Sequence, residues 1–401
     1  MTKWFMPIVL AVIVLISPLV GRAQNSISVL DTSAQIFFPS GLTFNIKAES
    51  QSDIVKLRLH YQVERRNFAS VTAEAWPVVT PSPKVQTQWV WDMRKAVLPI
   101  GANVIYWWTI EDASGSTITT PSQTVRFEDL RHKWNSVTSG KITLLWYQGN
   151  QIFVNQLMAA CQQALDRLAQ DTGVQLEQPV NIYIYASQAD LLSAMVFPQE
   201  WSGGFSYYEY GLIAIGIPTN DLDWGKGAIA HELGHMVTHQ ITFSPYGAVL
   251  PLWLDEGLAM YAQGKPDPYL ESVLKNAIAQ HNLISVRSLA SPFSAISAEA
   301  YLSYAESQSI VPFLIQNYGG DKMLQLLNLL KEGNTYDDAL VQVYGFDQDG
   351  LDTLWQKYIT SPAPSQAKIT YDFIRPDIKV NSSRDMIAGK LFTTNALSGV
   401  D

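Results

Sequence analysis

Cysteine is nearly absent from this sequence, since Cys161 is the only one in 401 residues. A single thiol excludes an internal disulfide, so the folded state must be stabilised by its core. Hydrophobic residues make up 47% of the chain, which is enough for a large core. Cys161 shares one side of a predicted helix with Leu157, Leu165 and Leu168, a spacing that indicates a buried thiol and not a nucleophile.

Charged residues are scarce too, at 16%, and no cluster of Lys or Arg accompanies the net charge of -9. Binding to a phosphate backbone requires such clusters, so nucleic acid is excluded as the main partner. The high hydrophobic content also excludes extended disorder. The length of 401 residues predicts two domains and not one.

One apolar run occupies the N-terminus, from Trp4 to Val20, and small residues follow it at Gly21 and Ala23. This order is typical of a secretory signal peptide, predicted over residues 1–23, and it predicts a secreted or extracytoplasmic protein. The run is about 17 residues long, at the lower limit for spanning a bilayer. A membrane anchor that stays uncleaved is therefore the alternative.

Alternation of apolar and polar residues is the main pattern of residues 24–132. It is clearest over 42–49 and 55–63, as in half-buried strands. Three further apolar runs follow, at 88–91, 104–110 and 124–127. The pattern predicts an antiparallel β-sandwich of the immunoglobulin or fibronectin type III kind. His60 falls on a polar face and is predicted to be solvated. The tryptophans are predicted to pack in the core, with a ligand surface as the alternative: Trp89, Trp91, Trp107 and Trp108.

Helical patterns with a few strands replace this alternation further along the chain and predict a second domain over residues 133–360. A long helix is predicted from Asn150 to Gln170, with Gly173 as its C-terminal cap. Two apolar runs predict buried strands, at 180–185 and 211–217. Residues 361–401 lack periodicity and predict a loosely structured C-terminal extension.

Residues 231–235 read HELGH and form the pattern H-E-x-x-H. Positions four apart on a helix lie one above the other, so His231 and His235 can bind one tetrahedral ion. Glu232 then projects beside the ion, where it can deprotonate a bound water. This pattern predicts one catalytic Zn²⁺ per chain, with Glu232 as the general base.

A catalytic zinc needs a third protein ligand. Glu256 is the predicted one, because it lies in the apolar, helix-forming segment LWLDEGLAMYAQG. The Pro- and Gly-containing loop before this segment lets a second helix return antiparallel to the first. His239 is the competitor, but a straight helix places it about 6 Å further along the axis than His235. A packing or outer-shell role is therefore predicted for His239.

The motif at 231–235, followed by WLDEGLA at 253–259, resembles the gluzincin clan of zinc metallopeptidases. It is most similar to the peptidase MA-like family and more distantly similar to aminopeptidase N. The resemblance covers roughly residues 140–360. It implies a multidomain α and β chain, in which a mixed α+β, mainly helical, thermolysin-like metallopeptidase domain follows the β-sandwich.

The resemblance also implies further site residues. In aminopeptidase N relatives a tyrosine hydrogen-bonds the developing oxyanion, and Tyr304 occupies the matching place, with Tyr301 as second choice. The G-A-M-E-N segment that binds a free substrate N-terminus is missing, since the strand before the motif helix reads GLIAIGIP. Glu209 is a candidate for recognising an amine, with a solvated turn carboxylate as the alternative. Aminopeptidase specificity is therefore not implied.

These features predict zinc-dependent hydrolysis of peptide bonds, with Asp255 as a candidate for orienting a ligand histidine. The expected partner is a peptide or protein substrate, and the β-sandwich is a candidate surface for a cell-surface or extracellular partner. A membrane partner is expected only if the N-terminal segment is uncleaved. Two alternatives stay open. One is a zinc hydrolase acting on a non-peptide amide or ester, and the other is a non-catalytic secreted binding protein with a vestigial metal site.

Overall fold

The computed structural model describes residues 27–197, 203–245, 247, 249–294 and 296–361. The predicted signal segment at 1–23 and residues 362–401 of the predicted extension lie outside the described residues. Within the described ranges, no helix combines the length and the apolar character needed to cross a membrane. The chain is multidomain α and β, with strands first and mainly helices after them.

Eight antiparallel strands form one hydrogen-bonded sheet in the N-terminal region. They are β1 Ser28–Asp31, β2 Ala34–Phe37, β3 Gly41–Val63, β4 Ala73–Ala75, β5 Ser82–Asp92, β6 Ala102–Asp112, β7 Thr117–Thr119 and β8 Gln123–Phe127. The predicted antiparallel strands are therefore confirmed. The specific immunoglobulin or fibronectin type III sandwich is not confirmed.

One strand, β3, organises this region. Its first part pairs with β5 and its second part pairs with β6, and the pairing is irregular between Glu49 and Lys56. The rings of Phe44 on the first part and Tyr106 on β6 lie 4.8 Å apart between centroids. The chain therefore bends within β3, so that its two paired parts contact each other through buried side chains.

Three sequence predictions about this region have clear outcomes. The alternation over 55–63 predicts that Val55 is inside together with Leu57 and Leu59. Leu57 and Leu59 are buried, but Val55 is 38% exposed because the irregularity in β3 shifts the alternation. The prediction of a solvated His60 is wrong, since it is only 9% exposed. Its ring stacks on Trp107 at 5.2 Å, and its Nδ1 lies 3.1 Å from Glu74 on the added strand β4. Core packing is confirmed for the fully buried Trp108, while the other three tryptophans are half-buried.

A five-stranded sheet and ten helices make up the rest of the described chain. The strands, in the spatial order β12-β13-β11-β10-β9, are β9 Asn135–Ser139, β10 Ile142–Trp146, β11 Val180–Tyr185, β12 Gly204–Tyr207 and β13 Leu212–Gly216. The helices are α1 Gln151–Thr172, α2 Gln188–Ser193, α3 Leu222–Ile241, α4 Leu252–Gln263, α5 Pro268–Gln280, α6 Val286–Leu289, α7 Ser297–Tyr318, α8 Gly320–Lys331, α9 Tyr336–Tyr344 and α10 Gln348–Thr360. The three central strands are parallel, and the two edge strands run antiparallel to them.

The long helix α1 begins and ends close to where the sequence predicts. Asn150 caps it through a side-chain bond to Phe153, and Gly173 adopts the left-handed conformation at φ 73° that ends a helix. Cys161 on α1 is fully buried, as predicted. Burial raises the pKa of its thiol to about 12, which leaves it protonated and unreactive at neutral pH.

Both faces of the central sheet are buried, as its apolar sequence predicts. On β11, Ile182 and Ile184 belong to the core shared with the helices, whereas Tyr183 and Tyr185 belong to the core shared with the N-terminal strands. The N-terminal region therefore packs directly on one face of this sheet. Domain bounds of 24–132 and 133–360 stay a prediction.

Candidate metal centre

Helix α3 carries the H-E-x-x-H motif and is buried along most of its length. His231 and His235 lie one turn apart, so their side chains project from the same face. Their Nε2 atoms are 3.1 Å apart, and the two residues are 1% and 0% exposed. The two imidazoles thus meet inside the protein, as the spacing predicts.

Helix α4 returns beside α3 and brings in Glu256. The two helices approach closely where Gly234 faces Ala259, since a Cβ at Gly234 would lie 2.7 Å from the Ala259 Cα. Glu256 Oε2 consequently lies 3.4 Å from His231 Nε2 and 3.5 Å from His235 Nε2. Two imidazole nitrogens from α3 and one carboxylate oxygen from α4 therefore converge on one position.

The spacing of these three donors fits a tetrahedral metal ion. Ligand atoms at about 2.0–2.2 Å from such an ion are separated from one another by about 3.3–3.6 Å. The observed separations of 3.1, 3.4 and 3.5 Å are close to that range. Glu256 Oε2 is buried and has no hydrogen-bond partner among the described residues. A carboxylate oxygen left in this state is costly unless a cation binds it.

Asp255 and His239 form a second group of possible ligands with His235. Asp255 contacts both imidazoles, with Oδ1 2.9 Å from His235 Nδ1 and Oδ2 3.1 Å from His239 Nε2. The His239 ring also stacks on Tyr208 at 4.4 Å. Because Asp255 engages Nδ1 of His235, the Nε2 of that ring is left for the group with His231 and Glu256. The first group therefore fits a metal ion better than the second, and Asp255 contacts the Nδ1 of one of its histidines.

The carboxylates of this centre have displaced pKa values. Burial opposes ionisation of Asp255 and Glu256, but the charges of nearby histidines outweigh it and hold both pKa values below the usual range. Glu232 differs, because burial dominates and raises the pKa of its carboxyl to about 7. A carboxyl with this pKa can both accept and release a proton near neutral pH.

Tyr304 lies on α7, is 7% exposed, and hydrogen-bonds Glu256. Burial raises the pKa of its phenol, so the hydroxyl stays protonated and can donate. Tyr301, the second choice from the sequence, instead packs edge-on against Tyr269 at 5.2 Å. Glu209 was expected to be either an amine-binding group or a solvated turn carboxylate. It forms an ion pair with Arg65 at 3.4 Å, so it is less solvated than a turn carboxylate without a partner.

Sequence reasoning missed two residues beside Glu232. Ser206 on β12 places its Oγ 2.7 Å from Glu232 Oε2, and Gly204 on the same strand lies against the Glu232 side chain. They lie in the segment SGGFSYYEY, whose Ser and Gly residues favour a turn and do not indicate a strand. β12 spans only four residues, too few for an alternation of apolar and polar residues to be recognised in the sequence. It is a strand because it pairs with β13.

A family model described as the peptidase MA superfamily matches residues 160–361, about half of the chain. This range includes all of the donors described above. No curated protein matches the chain in sequence.

Several solved structures are similar to this chain at low sequence identity. The M1 zinc metallopeptidase of Deinococcus radiodurans is 10% identical, with 80% of this chain and 90% of that one covered and a TM-score of 0.32. An aminopeptidase N family protein of Idiomarina loihiensis is 10% identical, with 80% and 68% covered and a TM-score of 0.33. For OgpA of Akkermansia muciniphila, solved with an O-glycopeptide substrate, the identity is 10%, the coverage 26% and 30%, and the TM-score 0.20. The chain thus spans less than a third of the length of OgpA.

Proposed function

The chain belongs to the peptidase MA superfamily, and from this premise we propose that it is a zinc-dependent peptidase with Glu232 as its general base. The observation that carries the proposal is the buried set of His231, His235 and Glu256, whose donor atoms lie within 3.1 to 3.5 Å of one another. Two imidazoles and one carboxylate are a typical donor set for catalytic zinc, which keeps a fourth position for water.

When bound, zinc lowers the pKa of a coordinated water to about 7 and polarises the substrate carbonyl. Glu232 accepts a proton from the attacking water and delivers it to the leaving nitrogen. Its pKa of about 7 supports both steps, because neither protonation state is strongly disfavoured near neutral pH. Asp255 holds His235 in the orientation that a ligand requires.

The Tyr304 hydroxyl is proposed to stabilise the developing oxyanion. Its support is the hydrogen bond to Glu256, which places the phenol beside the ligand set. Tyr304→Phe should lower kcat by about 100-fold while zinc stays bound, as expected for loss of one oxyanion donor. Tyr301→Phe is the matched control and should be silent. Equal effects of the two changes would refute this role.

The decisive experiment compares the native protein with Glu232→Gln. Zinc content is measured by inductively coupled plasma mass spectrometry, and cleavage is measured on a mixture of fluorescence-quenched peptides. We expect both proteins to hold about one zinc, and only the native one to cleave. Glu74→Gln, which removes the carboxylate beside His60 in the N-terminal strands, serves as control and should remain active.

Equal cleavage by the native protein and Glu232→Gln would disprove the proposal. A native protein that holds zinc and cleaves no peptide would point to a different amide or ester substrate. Export of the protein remains part of the proposal through residues 1–23. It is checked by comparing the N-terminal residue of the mature protein in the culture medium with that of the cell-bound form.

A further inference from the structure

Ser206 makes a contact with the motif helix that the motif itself does not contain. Its Oγ lies 2.7 Å from Glu232 Oε2 and 3.0 Å from the Glu232 backbone oxygen. Ser206 is 6% exposed and Glu232 is fully buried. A hydroxyl that donates to a carboxylate in such a setting forms a strong, charge-assisted hydrogen bond. The edge strand β12 is thus bonded to the side chain of the proposed base.

Gly204, on the same strand, lies against Oε1, Cδ and Cγ of the Glu232 side chain. A Cβ at Gly204 would lie 2.8 Å from Glu232 Oε1 and 2.9 Å from its Cγ and Cδ. Such distances are shorter than van der Waals contact, so only glycine leaves the carboxylate where it is. Gly204 therefore leaves the space that the Glu232 carboxylate occupies beside β12.

The two oxygens of Glu232 are in different situations. Oε2 accepts the hydrogen bond from Ser206, whereas Oε1 is buried and has no hydrogen-bond partner among the described residues. A general base must offer one oxygen to the water and then release the proton from it. The Ser206 bond does not interfere, since Oε2 keeps its lone pairs while Oε1 carries the proton.

We propose that Ser206 is the positioning residue of the general base: its hydroxyl fixes Glu232 Oε2 and leaves Oε1 as the oxygen that transfers the proton. Gly204 supports this arrangement by providing the space. The inference rests on the proposed role of Glu232 and adds a group that acts only through it.

The first test is Ser206→Ala, assayed on one fluorogenic peptide chosen from those that the native protein cleaves. We expect kcat to fall about 10- to 100-fold, the loss typical of one hydrogen bond to a charged group. KM and zinc affinity should stay within about twofold, because neither substrate nor metal is touched. Ser206→Thr retains the hydroxyl and should recover most of kcat. If Ser206→Thr is as impaired as Ser206→Ala, the hydroxyl is not the active feature.

Ser307→Ala is the matched control. Ser307 is also fully buried, and its Oγ donates to the Ser303 backbone oxygen at 2.7 Å, away from Glu232. This variant should keep the native kcat. Ser206→Ala should also add no further loss to Glu232→Gln, since both changes act on one group. An additional tenfold loss would show that Ser206 acts elsewhere.

A second measurement does not depend on catalysis. The midpoint of urea unfolding of the metal-free protein is measured with and without Ser206→Ala, once with Glu232 present and once in Glu232→Ala. The shift in the midpoint should be at least twofold larger when Glu232 is present, because the hydrogen bond exists only then. Equal shifts would mean that the two side chains are uncoupled, and the inference would be wrong. Full activity of Ser206→Ala beside an inactive Glu232→Gln would overturn the positioning role alone. Full activity of Glu232→Gln would overturn the proposed function as well.

Discussion

Buried carboxylates have opposite surroundings in the two regions of this molecule. In the N-terminal region, Asp112 at the end of β6 accepts hydrogen bonds from Ser114 and Ser116, and Asp129 after β8 accepts hydrogen bonds from Arg131. In the helical region, Glu232 and Glu256 each keep one buried oxygen with no hydrogen-bond partner among the described residues.

This difference separates carboxylates whose oxygens are all hydrogen-bonded from carboxylates that can still bind a cation or a proton. A buried carboxylate whose oxygens are all hydrogen-bonded stabilises a turn and has nothing left to bind. A carboxylate with an unpartnered oxygen carries a desolvation penalty that a metal ion or a proton relieves. The comparison predicts which substitutions affect chemistry and which affect only stability.

The largest effect is expected for Glu256→Ala. Removal of one of the three proposed ligands should weaken zinc binding by more than about 100-fold, beyond the range seen for partners outside the ligand set. Competition with a fluorescent chelator measures the affinity. Native affinity in this variant would return the third-ligand role to His239.

Asp255→Asn is expected to have the next largest effect. The amide can still contact His235 but lacks the negative charge, so zinc affinity should fall about 10- to 100-fold. The same chelator competition measures it, with His239→Gln as a second probe of the group. A loss in His239→Gln that exceeds the loss in Asp255→Asn would contradict the assignment of Asp255 as the orienting residue.

Asp129→Ala tests whether a buried carboxylate that is fully hydrogen-bonded contributes only to stability. Asp129 is fully buried, and the bonds from Arg131 hold its pKa below the usual value although burial opposes this. Arg131 is half-exposed and can be solvated, but the change removes its hydrogen bonds and that of Tyr185 to Asp129. The free energy of unfolding should fall by about 2 kcal/mol, the range for hydrogen bonds to a charged group. Urea denaturation measures the change, and zinc affinity of the folded variant should be native. Loss of zinc binding without loss of stability would contradict the structural role of Asp129.

Glu306 gives the smallest and most specific prediction. Its Oε2 is also buried without a hydrogen-bond partner, yet it lies outside the metal donors. Burial raises the pKa of its carboxyl to about 8, so the folded state binds a proton that the unfolded state has released. Its contribution to stability is complete below pH 4.5 and is lost as pH rises towards 8.

Glu306→Gln should remove this dependence. The difference in unfolding free energy between variant and native protein should grow in favour of the variant from pH 5 to pH 9, by on the order of a few kcal/mol. Urea unfolding at several pH values measures it. Parallel curves for the two proteins would contradict the raised pKa, and zinc affinity should be unchanged throughout.

Much of the fold could be predicted from the sequence because its signals are local. Alternation indicated the antiparallel strands, and capping residues indicated the bounds of α1. The predictions failed where a distant element changed the surroundings. His60 is buried because Trp107 and the added strand β4 cover it, and no pattern along β3 contains that information.

The candidate metal centre also combines features that the sequence predicts with contacts that depend on packing. The motif alone predicts that His231 and His235 share one side of a helix, because helix geometry fixes the relation between residues four apart. The contact of Asp255 with His235 and the contact of Ser206 with Glu232 become visible only when the chain is folded. These contacts join residues from separate elements, and their distances depend on how α4 and β12 pack against α3. Packing of that kind depends on side chains far apart in the chain, so spacing within a motif cannot specify it.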